Sequence, residues 1–117
     1  RNGALFTSSG RKNIRNAGFK LLDEPVEAGC DCYTCKRFSA AYLHHLFKAE
    51  ELLGHRLATI HNLRFLQRLM LRIRQAIVDG TFSCFKSEFL DGYPTTDQSV
   101  RIAQKQKWLA AQRAKKP

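Results

Sequence analysis

Acidic residues are scarce in this chain. Its 117 residues hold 10 Asp and Glu against 20 Lys and Arg, for a formal net charge of +10. Long apolar runs are also missing. No stretch approaches the roughly 20 apolar residues of a membrane span, so no membrane partner is expected. Cysteine is sparse and unevenly placed: three of the four lie between positions 30 and 35. That argues against the disulfide framework of a small secreted domain, and a bridge between Cys30 and Cys32, one residue apart, would be strained. No internal repeat and no secretory signal are visible, and crowded thiols point to metal in a reducing compartment, so a cytoplasmic location is expected. The chain starts at Arg1 and RNGALF reads like mid-sequence, which suggests a fragment or a processed product.

The positive charge sits at the two ends. Residues 1–20 carry five basic residues and no acidic one, and residues 97–117 carry six against Asp97 alone. Residues 21–96 carry nine of each sign and sum to zero. Such a distribution suits a polyanion such as nucleic acid, and on charge alone Lys12 and Arg15 are candidate RNA contacts.

The pattern predicts a mainly α fold with one small β-hairpin. ALFT and NIRN within residues 3–16 read as strands, with Ser8-Ser9-Gly10 as the turn. Residues 21–29 read as a loop broken by Pro25 and Gly29. A helix is expected from Ser39, as N-cap, to Gly54. It carries two apolar stripes: Phe38, Tyr42, His45 and Ala49, and Leu43, Leu46, Phe47 and Leu53. One would face the chain's own core and the other a partner. A second helix is expected after Asn62 and ends at Gly80, with Leu66, Met70, Ile73 and Ile77 at helical spacing. Arg64, Arg68 and Arg72 would form its solvated face. A short third helix over 83–90 should bury Phe82, Phe85 and Phe89 and end at Gly92 and Pro94. The tail from 94 has a cap at Asp97 or Ser99 but no clean apolar stripe. It reads as a frayed basic helix or a disordered segment.

Cys30, Cys32 and Cys35 form C-x-C-x-x-C. Zinc binds thiolates and neutral imidazole, four in a tetrahedron, and a tight loop presents three of these sulfurs to one point. A fourth ligand must come from Cys84, His44, His45, His55 or His61. His44 and His45 lie about 13–15 Å down a helix from Cys35, at ~1.5 Å per residue. Residues 55–60, if extended at ~3.3 Å each, span about 20 Å and return His61 to the cysteine loop. His61 is therefore favoured, and Cys84, among phenylalanines, reads as a small core residue. With four protein ligands the site is closed and its one Zn²⁺ structural.

RNGALFTSSGRKNIRNA, CDCYTC, FSAAYLHHLFKAEELLG and LATIHNLRFLQRLM resemble the C-terminal part of bacterial tRNA-guanine transglycosylases, also called queuine tRNA-ribosyltransferases, from Arg1 to about Tyr93. The resemblance implies a (β/α)₈ TIM-barrel enzyme with a zinc-binding subdomain near its end. Such an enzyme exchanges guanine at the tRNA wobble position for a 7-deazaguanine in queuosine biosynthesis, using one Asp as nucleophile and another as acid/base. Neither Asp matches a position of this chain, so no catalytic residue is expected in it, and alone it should be inactive. The family pattern implies the zinc ligands Cys30, Cys32, Cys35 and His61. It implies an RNA contact near the anticodon loop at Arg1, and a homodimer interface at Phe38, Tyr42 and His45. It implies a zinc-binding subdomain at 1–61 and a last barrel helix plus short helix at 62–93, with the barrel strands absent; the basic tail at 94–117 lies outside the resemblance and is read from its charge alone. Without its barrel, the apolar stripe from Leu66 to Ile77 would be exposed. The alternative is a standalone structural-zinc module that binds RNA or dimerises without catalysis.

Overall fold

A computed structural model describes residues 2–93 and 98–115. The fold is mainly helical with one two-stranded antiparallel hairpin, as the pattern predicts. The order is β1 (Ala4–Thr7), β2 (Gly10–Asn13), a 3-10 turn (Ala17–Phe19), α1 (Tyr33–Arg37), α2 (Ala40–Lys48), α3 (Leu52–Val78), α4 (Phe82–Gly92) and α5 (Gln98–Ala114).

The hairpin is tighter than expected. Thr7 pairs with Gly10, so the turn is Ser8-Ser9 alone and the second strand is GRKN rather than NIRN. A two-residue loop sets register at once, and the Thr7 hydroxyl locks it by donating to the Gly10 carbonyl at 2.7 Å. The strand stops at Asn13, whose side-chain oxygen accepts the Arg15 N–H at 2.9 Å. Leu5 and Ile14 are fully buried and join Val26, Ala40, Leu43, Leu46, Phe47, Leu57 and Ala58 in one core.

Ser39 caps α2 as expected, accepting the Tyr42 N–H at 3.2 Å. The helix does not run on to Gly54. It ends at Lys48 because Glu50 adopts a left-handed φ of 57°. The Glu51 N–H then bonds the Leu46 carbonyl at 2.9 Å and the Glu50 N–H bonds that of Phe47 at 3.3 Å. Together they make a Schellman stop. Gly54 instead sits inside α3, where an added Cβ would lie 3.1 Å from Leu46 Cβ and 3.3 Å from Phe47. Its missing side chain lets α3 cross α2 closely.

Residues 55–60 are helical, not extended, and Asn62 is no cap: α3 runs through both from Leu52 to Val78. The reversal between helices happens at Ala49–Glu51, and three turns of α3 carry His61 back. At its far end α3 stops at Gly80 as expected. There φ is 71°, and Gly80 and Thr81 bond the Ile77 and Ala76 carbonyls in a second Schellman pattern.

Leu66, Met70 and Ile77 are exposed and Ile73 is half-buried; Phe65 and Ala76 are the buried positions of this stretch. α4 begins at Phe82 rather than 83, and no residue in it is fully buried. Phe85 and Phe89 stack at 6.2 Å, Phe89 on Tyr93 at 5.1 Å, while Phe82 faces solvent. α5 is a regular helix of 17 residues, not a frayed tail. Pro94 and the expected cap Asp97 lie outside the described residues.

Candidate metal centre

The loop at 21–29 is tied down by its side chains and main chain. Glu27 Oε1 accepts the Ser8 N–H at 2.9 Å, and the Ser8 hydroxyl bonds the same oxygen. Ala40 and Ala41, at the start of α2, bond the Glu24 and Leu22 carbonyls. The chain then enters α1, a short helix absent from the expectation. Its N-cap is Cys32, whose Sγ accepts the Cys35 N–H at 3.2 Å. Cys32 and Cys35 therefore sit on the first turn of one helix, and Cys30 lies just before it. Thr34 anchors that turn to α3 by donating to the Leu57 carbonyl at 2.7 Å.

His61 meets all three sulfurs. Its Nδ1 lies 3.7 Å from Cys30 Sγ, 3.5 Å from Cys32 Sγ and 3.3 Å from Cys35 Sγ. All four residues are buried and their donor atoms lie within 4.8 Å of one another. A tetrahedral zinc with bonds of about 2.3 Å to sulfur and 2.0–2.1 Å to nitrogen puts S and N about 3.6 Å apart. The cluster brackets that value, so the donor set fits one structural zinc ion.

The opposite ring edge settles the tautomer. His61 Nε2 lies 2.7 Å from the Phe6 carbonyl, which can only accept, so Nε2 carries the proton and Nδ1 presents its lone pair to the sulfurs. This is the outer-shell bond that orients metal-bound histidines. Glu27 Oε2 stands 3.8 Å from the same Nε2. Asn62, one position on, completes the attachment to β1. Its side chain accepts the Phe6 N–H and donates to the Ala4 carbonyl, both at 3.0 Å. It acts as a substitute neighbour strand.

Burial pushes the Cys30 and Cys35 thiols up, since a buried thiolate needs a cation beside it. A zinc ion supplies that charge, so binding releases protons and adds to folding stability.

The other candidates fall elsewhere. His44 is buried, but its Nδ1 donates to the Ile14 carbonyl at 2.8 Å, tying α2 to the hairpin. His45 is exposed, and His55 packs against Phe47 at 5.2 Å. Cys84 is not a core residue: it is exposed, with Sγ 3.5 Å from Glu88 Oε1, because α4 turns it away from its aromatic side.

The arginine row on α3 is not a free solvated face. Arg64 makes a two-pronged pair with Asp31 beside the cysteine loop, at 2.9 and 2.7 Å, and these bonds hold the Asp31 carboxyl down to about 2. Arg68 lies 3.7 Å from Glu27, and Arg72 sits 4.9 Å above the Phe85 ring. Periodicity revealed the row, but its partners come from other segments. Glu27 and Asn62 were also missed as site residues. A Glu in a polar loop and an Asn read as a cap carry no signal of the long-range bonds they make.

Of the expected surface residues, Arg1 lies outside the described residues. Lys12 is half-buried on β2, opposite Leu5, and the Arg15 guanidinium lies 5.5 Å over the Phe47 ring. Phe38 and Tyr42 stack at 5.3 Å, with Tyr33 edge-on to Phe38 at 5.9 Å. His45 lies one turn beyond Tyr42 and is exposed with it.

The family model described as queuine tRNA-ribosyltransferase matches residues 1–95. Relatives bearing that name include two from strains of Dehalococcoides mccartyi. One is 57% identical over 111 residues, covering 95% of this chain and 28% of the relative. The other is 52% identical over 117 residues, covering 100% and 30%. A third, from Helicobacter pylori, is 55% identical over 93 residues, covering 80% and 25%. The chain thus spans under a third of the length of these relatives. With the family match over the hairpin, the cysteine loop and α3, this chain belongs to the queuine tRNA-ribosyltransferase family.

Proposed function

We propose that this chain is the zinc-binding part of an enzyme that exchanges guanine in tRNA for a 7-deazaguanine, at the wobble position of the anticodon loop. The observation that carries the reading is the buried Cys₃His cluster, placed in a chain of this family. The metal does no chemistry on substrate in this reading. It clamps α1 to α3, and through His61 and Asn62 holds the hairpin against α3. The rest of the enzyme, a TIM barrel with the nucleophilic and acid/base aspartates, would come from sequence joined to this chain, which covers only 28% of a relative's length.

Within that enzyme, 1–61 forms the zinc subdomain, 62–93 packs on the barrel through the exposed stripe of α3, and 94–117 is a basic tail. Arg1, Lys12 and Arg15 contact the tRNA, supported by the run of positive charge without acid at 1–20. Phe38, Tyr42 and His45 pair two copies into a homodimer. The support is a stacked aromatic pair on the outer face of α2, with Tyr42 37% exposed. Exposed aromatic clusters of this kind suit a buried interface centre.

The test is base exchange with radiolabelled guanine and substrate tRNA. The isolated chain should give no exchange, and the longer polypeptide containing it should give exchange. Exchange by the isolated chain would place catalysis in residues other than the aspartates invoked. No exchange by the longer polypeptide would sink the reading.

A further inference from the structure

α5 lies beyond the family match, which ends at residue 95. It packs against no other helix or strand among the described residues, and every residue in it is exposed. From Gln98 to Lys115 it carries Arg101, Lys105, Lys107, Arg113 and Lys115 and no acidic residue.

Helical geometry sorts these charges. At 3.6 residues per turn, Arg101, Lys105, Trp108, Gln112 and Lys115 fall within about 80° of one another. Lys115 belongs to the last turn, its N–H bonding the Gln112 carbonyl at 3.3 Å. The face is a stripe about 21 Å long, at 1.5 Å per residue. It holds three cations, an amide and an indole that is 60% exposed.

We propose that α5 is an RNA-binding arm. The cations of this face contact phosphates, and Trp108 stacks on an unpaired base. The inference rests on the proposed function for the identity of its RNA as tRNA, and it adds a contact surface beyond the residues that the family model matches. Cations tracking a backbone beside an aromatic platform are how single-stranded nucleic acid is held. Unpaired loops offer bases for such stacking, whereas base-paired RNA does not. A membrane surface fits less well. A helix lying on lipid needs a continuous apolar face. Here Ile102 and Leu109 share one side, but Val100 lies about 160–180° away from them.

The test compares tRNA binding by the zinc-loaded chain and two variants over a salt series. In the triple variant Arg101→Gln, Lys105→Gln and Lys115→Gln, helix-forming glutamine keeps α5 helical, checked by circular dichroism. Affinity should fall about 10-fold or more near 0.1 M salt. The slope of log affinity against log salt should shrink by about 3, near one per lost phosphate contact. Trp108→Ala should weaken binding about 10-fold with the slope unchanged, the signature of lost stacking. Equal affinity and slope in the triple variant would overturn the arm while leaving the enzyme reading intact. Binding to phosphatidylserine vesicles as tight as to tRNA would overturn it in favour of a membrane-surface helix. Guanine exchange by the longer polypeptide with α5 unaltered, measured separately, reports on the enzyme reading alone.

Discussion

His61 is held between the Phe6 carbonyl, 2.7 Å from its Nε2, and three cysteine sulfurs, 3.3 to 3.7 Å from its Nδ1. One ring joins the hairpin to the metal cluster, and its two edges cannot exchange roles. His61→Ala should strip zinc from the folded chain, where elemental analysis should otherwise find about one per chain. His44→Ala removes a different bond, to the Ile14 carbonyl. It should cost about 1–3 kcal/mol for the unpaired group and leave zinc in place. Equal zinc loss in both variants would refute the ligand assignment.

Thiol chemistry should separate Cys84 from the other three. In the zinc-loaded chain only exposed Cys84 should react rapidly with an alkylating reagent, and all four cysteines should react after a chelator. The hydrogen bond to Glu88 and its negative charge raise the Cys84 pKa, leaving less of the reactive thiolate at a given pH. Glu88→Gln should therefore speed alkylation of Cys84 near pH 8. A faster reaction at Cys30 or Cys35 before chelation would contradict the closed site.

Two substitutions at the reversal between α2 and α3 should act in opposite directions. Glu50 holds a φ of 57°, a conformation that costs a residue with a Cβ about 1–2 kcal/mol. Glu50→Gly should raise stability by about 1 kcal/mol in denaturant unfolding of the zinc-loaded chain. Gly54→Ala forces a methyl to 3.1 Å from Leu46 Cβ, and overpacking of this kind costs about 1–3 kcal/mol. If Gly54→Ala is neutral, the helices are not in close contact there.

Asn62→Ala should loosen the hairpin without touching the metal. It removes both side-chain bonds to β1, leaving the Phe6 N–H and Ala4 carbonyl unpaired. The expected cost is about 1 kcal/mol for each of these part-buried groups left without its partner. Amide exchange at Phe6 should accelerate, while zinc stoichiometry stays the same. Unchanged exchange at Phe6 would show that the strand edge is held by something else.

The two helix stops explain where sequence reading succeeded and failed. Gly80 is a glycine at a left-handed position, and its residue type announces the end of α3. Glu50 takes the same backbone conformation with a residue that announces nothing, so residue type alone points to Gly54 as the end of α2. A stop at Gly54 leaves no room for the first turns of α3 and requires residues 55–60 to be extended, whereas they are helical. His61 is the fourth donor on either path, because an extended link and a reversed helix both return it to the cysteine loop. The arginine row shows the other failure. Helical spacing reveals that Arg64, Arg68 and Arg72 share a face, but not that Asp31, Glu27 and Phe85 meet them from three separate segments.

By itself the sequence determined the chemistry of the metal donors, the caps at Ser39 and Gly80, the presence of a hairpin and the placement of charge at the ends. These follow from residue type and short-range spacing, which act within a few positions of the chain. Only the tertiary structure decided the tautomer of His61, the use of Asn62 as a strand partner, the exposure of Cys84 and the crossing at Gly54. Each depends on an atom contributed by a distant segment, and a hydrogen bond or a close contact exists only once packing has brought both sides together.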